Sequence, residues 1–183
     1  MAVAGLLAAE RHRRLTGEGQ VVRVALSDVA LAMVGNLGKI GEVQINRNHR
    51  PKDGNYLYGA FGRDFLTGDG RRLMIVALTH RQWTNLVKAT GLQDAFASCE
   101  RMMGVDLNRE GDRFAAREVL GAIIKPWTTA RTLEEIREIF DEHDVCWGPY
   151  WTFTELVEHD RRCSPENPMF QEVEQPGIGS YLM

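Results

Sequence analysis

The sequence has few cysteines, no long apolar run and no marked excess of charge of either sign. Its three cysteines, Cys99, Cys146 and Cys163, lie far apart, and none belongs to a C-x-x-C motif. This spacing argues against both a disulfide framework and a zinc site. The 22 basic and 25 acidic residues are scattered and leave a formal net charge of -3. Neither a basic face for nucleic acid nor a cationic segment for a membrane surface is predicted.

The apolar stretch at residues 1–9 is too short to cross a bilayer. It runs directly into the charged residues 10–14 without the cleavage pattern of a secretory signal peptide. Together with the isolated cysteines, this predicts a cytoplasmic protein with no membrane attachment. At 183 residues and 44% apolar content, the chain is long enough for one core, or for one core and a small second unit.

The first quarter of the sequence predicts a helix, a turn, a strand and a second helix. Residues 2–14 are rich in Ala and Leu and end in a basic cluster, which is typical of a helix, although no capping residue precedes them. After a turn with two glycines, the β-branched residues 21–26 predict a buried strand. Ser27 or Asp28 is expected to cap a second helix that extends to about Ile45.

A polar stretch and a hairpin follow. Residues 46–54 are polar and contain Gly and Pro, so we place a domain boundary there and predict a small α/β domain over residues 46–148. Aromatic and β-branched side chains in residues 56–66 and 73–78 flank the glycine turn at residues 68–70. This arrangement predicts an antiparallel hairpin.

Two capping boxes mark the beginnings of helices in the second half of the sequence. Thr79 and Gln82 open one helix, and Thr132 and Glu135 open another. Between them, apolar residues at helical spacing predict a helix over residues 112–124.

The last segment of the chain is expected to be irregular. Cys146 lies in a predicted buried strand with no base near it in the sequence, so we expect an inert thiol. A short helix is predicted over residues 154–160. The prolines and glycines that follow indicate an irregular return within residues 149–183.

Four motifs in a fixed order resemble segments of the family III CoA-transferases. They are the small-residue helix with the R-x-T-G-x-G-Q turn and VRVALSD stretch (residues 5–28), the aromatic strand ending in T-G-D-G (residues 56–70), the ALTHRQW segment (residues 77–83), and the T-x-x-E helix with the DVCWGPY strand and the helix after it (residues 132–160). Because the four motifs extend over nearly the whole chain, the sequence is identified as a member of this family.

The resemblance implies an α/β fold composed of parts of two domains. Residues 1–45 are expected to form the end of a large, Rossmann-like CoA-binding domain and the connecting helix. Residues 46–148 are expected to form the small α/β domain, and residues 149–183 the return toward the large domain. Members of the family are homodimers of interlocked chains, so a homodimer is expected here.

Within the family, the sequence at His12, residues 36–39 and residues 58–65 looks most like the branch that moves CoA between the carboxylates of mesaconyl-CoA. The alternatives are a fragment of an acyl-CoA racemase and a non-catalytic interaction unit. The resemblance implies a CoA thioester as substrate, with no metal and no redox cofactor. The family nucleophile is an aspartate upstream of the position that Gly5 matches, and this sequence has no acidic residue before Glu10. We therefore expect a truncated chain without the catalytic residue.

Five residues are candidates for contact with the acyl group: Tyr58, Gly59, Gly62, Arg63 and His80. One interpretation is that Gly59, Gly62 and Arg63 form a loop over the acyl group. The guanidinium of Arg63 would then donate two hydrogen bonds to a free carboxylate. The alternative is a strand bulge with a surface arginine. His80 lies where racemase branches place an acidic residue that faces the substrate, which makes it a candidate to bind a carboxylate or move a proton. The alternative is a solvated histidine at the beginning of a helix.

Overall fold

The computed structural model describes residues 1–47, 49 and 51–183. Two residues of the predicted linker, Asn48 and Arg50, lie outside the described residues. The chain divides into two compact units, Met1–Lys52 and Asp53–Met183, which we call the N-terminal and C-terminal units. Within the described ranges, no helix combines the length and the apolar character that a membrane span requires.

The N-terminal unit contains three helices. They are α1 (Ala2–Thr16), α2 (Leu26–Asn36) and α3 (Lys39–Asn46). The helix α1 ends at Gly17, whose φ of 79° is in the left-handed region, a common helix end for glycine. The single helix predicted to extend to about Ile45 is wrong, because Gly38, with a φ of 74°, separates α2 from α3.

Two further expectations for this unit are corrected. Residues 21–25 form no strand; Ala25 is extended, with φ -85° and ψ 138°, but a strand requires a hydrogen-bonded neighbour. The described part of this unit contains no other extended element that could pair with it. The cap of α2 is Ala25 rather than Ser27 or Asp28, which both lie inside the first turn.

The apolar side chains of the N-terminal unit remain in contact with solvent. None of its described residues is buried, and Leu26 is 89% exposed. Soluble proteins rarely expose contiguous apolar surface of this extent unless a partner covers it. The unit therefore has no core of its own.

The C-terminal unit combines six α-helices, a short 3-10 helix (Arg161–Cys163), a three-stranded sheet and a separate hairpin among its described residues. These elements are β1 (Phe61–Leu66), β2 (Arg72–Ala77), α4 (His80–Thr90), α5 (Gln93–Met103), α6 (Glu110–Ala115), α7 (Arg117–Thr129), α8 (Leu133–Glu142), β3 (Cys146–Pro149), α9 (Phe153–His159), β4 (Glu172–Gln175) and β5 (Gly179–Leu182). The sheet has the antiparallel order β1-β2-β3, and β4 pairs with β5. The predicted hairpin is confirmed, with Phe61 opposite Ala77 and Leu66 opposite Arg72.

Apolar residues of the sheet and of α4, α5, α7 and α8 form one core. Phe61, Ile75, Leu86, Leu120 and Phe140 are fully buried within it. Both predicted capping boxes are confirmed: Thr79 pairs with Gln82 at α4, and Thr132 pairs with Glu135 at α8. The local signals at these helices therefore agree with the packing around them.

Three details of this unit differ from expectation. The helix predicted over residues 112–124 is two helices, α6 and α7, joined at Ala116. Cys146 is exposed rather than buried, because β3 is an edge strand of the sheet. The return segment is partly regular, since β4 and β5 form an antiparallel hairpin in which Glu172 lies opposite Leu182 and Gln175 lies opposite Gly179.

Candidate functional site

Three of the predicted site residues lie at one end of the β1–β2 hairpin. The pairing of Phe61 with Ala77 places the residues before β1 and those after β2 at the same end of the sheet. Tyr58 and Gly59 precede β1, and His80 is the first residue of α4 after β2. We call Tyr58, Gly59 and His80 the hairpin rim.

Tyr58 and Gly59 form the β1 side of the rim. Tyr58 is 53% exposed, and its ring packs edge-on against Phe114, with 5.0 Å between centroids and 67° between planes. Gly59 has a φ of 85° and open space where a Cβ would lie, so this turn requires glycine for its conformation and not for close packing. The pair presents an aromatic face beside a short, uncrowded turn.

His80 forms the β2 side of the rim. It is exposed, and the capping box holds its backbone in place: Gln82 N donates to Thr79 Oγ1 at 3.2 Å, and Thr79 N donates to Gln82 Oε1 at 3.0 Å. The first turn of a helix carries a partial positive charge and N–H groups without intrahelical partners. The neighbourhood of His80 therefore favours a negatively charged group.

Asp106 interacts electrostatically with His80, although the two residues are far apart in the sequence. Hydrogen bonds from the backbone and side chain of Asn108 lower the pKa of the Asp106 carboxyl, and the charges of Arg109 and His80 lower it further. The side chain of Asn108 donates to Asp106 Oδ1 at 2.9 Å. The Asp106 carboxylate is thus held by Asn108 and lies within electrostatic range of His80.

Arg113 connects the two segments that carry His80 and Asp106. Its side chain is 0% exposed. Nη2 donates to the carbonyl of Leu78 at 2.7 Å, and Nη1 donates to the carbonyl of Leu107 at 2.8 Å. Burial lowers the pKa of this guanidinium. A buried cation therefore lies below the rim.

Arg63 does not lie at the rim. Its Nη1 donates to the hydroxyl of Tyr56 at 2.5 Å, and that hydroxyl donates to Glu118 Oε2 at 2.7 Å. The guanidinium also stacks on the Tyr56 ring, 4.7 Å from the centroid, and its Nη1 occupies the space where a Cβ on Gly121 would lie, 2.6 Å away. These contacts join β1 to α7 and favour the structural interpretation of Arg63.

Gly62 is buried within β1. A Cβ there would lie 3.0 Å from Leu57 Cβ and 3.3 Å from the carbonyl oxygen of Ile75. The absence of a side chain lets Leu57 N donate to the carbonyl of Gly62 at 2.8 Å. Gly62 thus allows the turn before β1 to fold back onto the strand.

An open depression adjoins the beginning of α4. Its volume is about 380 Å³, and its lining includes both capping-box residues together with Arg81, Asn85 and Asp144. Arg81 forms an ion pair with Asp144 across it, and Asn85 Nδ2 donates to the backbone carbonyl of Asp144 at 3.0 Å. The depression therefore follows the first turns of α4 on a face lined by polar groups, and the described residues that line it include neither His80 nor Tyr58.

Sequence reasoning missed Asp106, Arg113 and Phe114 as parts of this site. An arginine within an amphipathic pattern predicts a solvated side chain, and the bond partners of Arg113 are 6 and 35 residues away along the chain. No local sequence pattern indicates such contacts.

The described residues contain no group of three or more His, Cys, Asp or Glu side chains suited to hold a metal ion.

Comparison with known proteins gives consistent matches over the whole chain. The sequence model described as CoA-transferase family III matches residues 1–183. The 2-methylfumaryl-CoA isomerase of Chloroflexus aurantiacus is 60% identical over 183 residues, which are 100% of this chain and 45% of that protein. The succinyl-CoA:mesaconate CoA-transferase of Haloarcula marismortui is 29% identical over 186 residues, 97% of this chain and 42% of that protein.

A solved structure shows the same fold. The crystal structure of a CAIB/BAIF family protein from Brucella suis aligns with a TM-score of 0.67 at 19% identity. The alignment covers 96% of this chain and 43% of that protein. The chain spans less than half the length of each of these relatives.

Proposed function

The chain belongs to CoA-transferase family III, and we propose that it is the acyl-contacting part of an enzyme that moves CoA between the two carboxylates of 2-methylfumarate. The observation that carries this proposal is the 60% identity to 2-methylfumaryl-CoA isomerase, which extends over all 183 residues. The mesaconate CoA-transferase relative supports the same class of small unsaturated dicarboxylic acid.

In this proposal, the rim contacts the acyl group. His80 donates a hydrogen bond to the carboxylate that does not carry CoA, supported by the positive end of α4. Tyr58 covers the apolar part of the acyl chain with its aromatic face.

We propose that the nucleophile lies outside these 183 residues. The family resemblance implies an aspartate that attacks the thioester carbonyl, releases the CoA thiolate and forms a mixed anhydride, which the thiolate converts to an aspartyl-CoA thioester. The other carboxylate of the released dicarboxylate then attacks that thioester, which expels the thiolate and forms a second mixed anhydride. Attack of the thiolate on the acyl carbonyl of this anhydride forms the product thioester and frees the aspartate. No position of this sequence matches that aspartate. We therefore propose that turnover requires residues beyond these 183.

The proposed chemistry needs no metal and no redox cofactor. Movement of a thioester between two carboxylates changes no oxidation state, and CoA takes part as a substrate. The family resemblance supports an interlocked homodimer in the cytoplasm, and both are proposals for this chain.

One observation favours a second candidate, an interaction unit without activity of its own. No described residue of the N-terminal unit is buried, and apolar side chains such as Leu6, Val21 and Ile45 are exposed. A surface of this kind is typical of a segment that another polypeptide covers.

A chimera tests the proposed function. The matched segment of the Chloroflexus isomerase is replaced by all 183 residues of this chain, and the isomerisation of 2-methylfumaryl-CoA is followed by chromatography. We expect turnover by the chimera and none by the chain alone. A folded but inactive chimera would contradict the proposed substrate, and turnover by the chain alone would contradict the claim that the nucleophile lies elsewhere. Deuterium incorporation into a 2-methylacyl-CoA, without isomerisation, would favour the racemase alternative.

A further inference from the structure

We propose that Arg113 is a positioning residue: from inside the core, it fixes the backbone that leads into His80 of the rim by joining it to the backbone beside Asp106. This inference rests on the proposed function, because it takes His80 as a contact to the acyl group. Arg113 itself does not touch the substrate.

The geometry of the two hydrogen bonds supports this role. Nη2 of Arg113 donates to the carbonyl of Leu78, and Nη1 donates to the carbonyl of Leu107, at 2.7 and 2.8 Å. Leu78 lies two residues before His80, and Leu107 lies one residue after Asp106. Because both donors belong to one planar guanidinium, they hold the two carbonyls at a fixed separation.

The surroundings of Arg113 explain why arginine is required. Both hydrogen-bond acceptors of this side chain are backbone carbonyls, the charge of Glu110 acts on it electrostatically, and its Nε has no hydrogen-bond partner within the described part of the chain. The ring of Trp83 lies 5.9 Å from the guanidinium carbon. Burial of a cation is costly for stability unless hydrogen bonds compensate it, and the two carbonyls supply such bonds. A lysine, with a single nitrogen, has no rigid fork to span both carbonyls.

The neighbouring residue supports the other side of the rim. Phe114 packs against Tyr58 with 5.0 Å between ring centroids. Two consecutive residues of α6 therefore contact the two sides of the rim: Phe114 packs against Tyr58, and Arg113 bonds the segment before His80. We infer that α6 sets the separation between the two sides of the rim.

The unsubstituted chain provides the first test. NMR of the Arg113 guanidinium should show slow exchange of its Nη hydrogens and Overhauser contacts to both the Leu78–Thr79 and the Leu107–Asn108 backbone. Rapid exchange and contact to one segment only would overturn the inference. This measurement does not depend on the folding of any variant.

A double-mutant cycle in the active chimera provides the second test. Arg113→Lys is expected to lower kcat/KM by about tenfold, because a small displacement of a substrate contact reduces the reactive population. In the His80→Ala background the same substitution should have no further effect, since Arg113 acts through His80. Arg131→Lys is the matched control: Arg131 also donates to a backbone carbonyl, that of Trp127 at 2.9 Å, but it lies near the opposite end of the hairpin.

The possible outcomes separate the two claims. The positioning role would be overturned if Arg113→Lys lowered kcat/KM by the same factor in the His80 and His80→Ala backgrounds. It would also be overturned if a folded Arg113→Lys variant kept its full kcat/KM. An unchanged kcat/KM in His80→Ala alone would instead contradict the role of His80 in the proposed function. In that case the NMR shifts of His80 in Arg113→Lys still decide the positioning claim: displaced shifts support it, and unchanged shifts overturn it.

Discussion

The amide nitrogen of Gly68 lies 2.6 Å from the carbonyl oxygen of Arg131. This bond docks the turn of the β1–β2 hairpin onto the chain between α7 and α8. Asp69 strengthens the contact, because its Oδ1 accepts from Leu133 N at 3.2 Å and from Thr67 Oγ1 at 2.5 Å. The T-G-D-G motif that contributed to the family resemblance therefore has a packing role at the end of the hairpin opposite the rim.

Gly68→Ala is expected to destabilise the chain by about 1–3 kcal/mol, a typical cost of overpacking. The added Cβ would lie 2.8 Å from the carbonyl oxygen of Thr129 and 3.1 Å from that of Arg131. These are backbone atoms, so no side-chain rotation relieves the contact. Urea unfolding measures the change. Gly111→Ala is the control, because no atom outside its chain neighbours and its own helix backbone lies within 4 Å of the position that its added methyl group would take. An unchanged midpoint in Gly68→Ala would contradict the docking.

Local sequence signals predicted the elements that depend on local interactions. The capping boxes at Thr79 and Thr132 each require residues only three positions apart, and both are confirmed. The strand predicted over residues 21–26 depends on a neighbouring strand, and the described part of the N-terminal unit supplies none. The α/β class and the family were nevertheless predictable, because four motifs keep their order along the chain; both are confirmed.

Asp64 is expected to make the free energy of unfolding decrease as the pH falls in the acid range. Burial acts to raise the pKa of its carboxyl, but hydrogen bonds from Arg72 and Asn55 outweigh burial and hold the pKa below the ordinary value of 3.8. A carboxyl with a depressed folded-state pKa stabilises the fold above its unfolded pKa. That contribution is lost as the pH falls through the folded value.

The measurement is the free energy of unfolding between about pH 5 and pH 2. Asp64→Asn should reduce the dependence on pH in this range and cost about 1 kcal/mol at neutral pH. Arg72→Gln removes the charged partner and should flatten the profile in the same direction. A profile in Asp64→Asn as steep as that of the unsubstituted chain would contradict the assignment.

Hydrogen exchange is expected to differ between the two units. Residues Leu120 and Ile124 of α7 are fully buried, whereas α1, α2 and α3 contain no buried residue. Helices without tertiary packing open readily. Mass spectrometry should show rapid exchange in α1 and slow exchange in α7 for the chain alone. In the chimera, α1 should become protected, and equal protection of α1 and α7 in the chain alone would contradict this account.

The candidate site was only partly predictable, for a physical reason. Tyr58, Gly59 and His80 belong to local patterns, and the register of the hairpin places them at one end of the sheet. Arg63 belongs to the same patterns, yet its guanidinium bonds Tyr56 and lies against Gly121 of α7. Sequence spacing does not report which face of a strand a helix covers. The substrate contacts assigned to the rim stay a prediction.

The central claim is that His80, at the rim, contacts the acyl group of 2-methylfumaryl-CoA. In the chimera, His80→Ala should lower kcat/KM by about ten- to a hundredfold, the range for loss of a hydrogen bond to a charged group. His159→Gln, at the end of α9, is the control and should leave kcat/KM unchanged. The direct measurement is kcat/KM for 2-methylfumaryl-CoA in these two variants. A loss confined to His80→Ala agrees with the account, and an unchanged value in a folded His80→Ala chimera would contradict it.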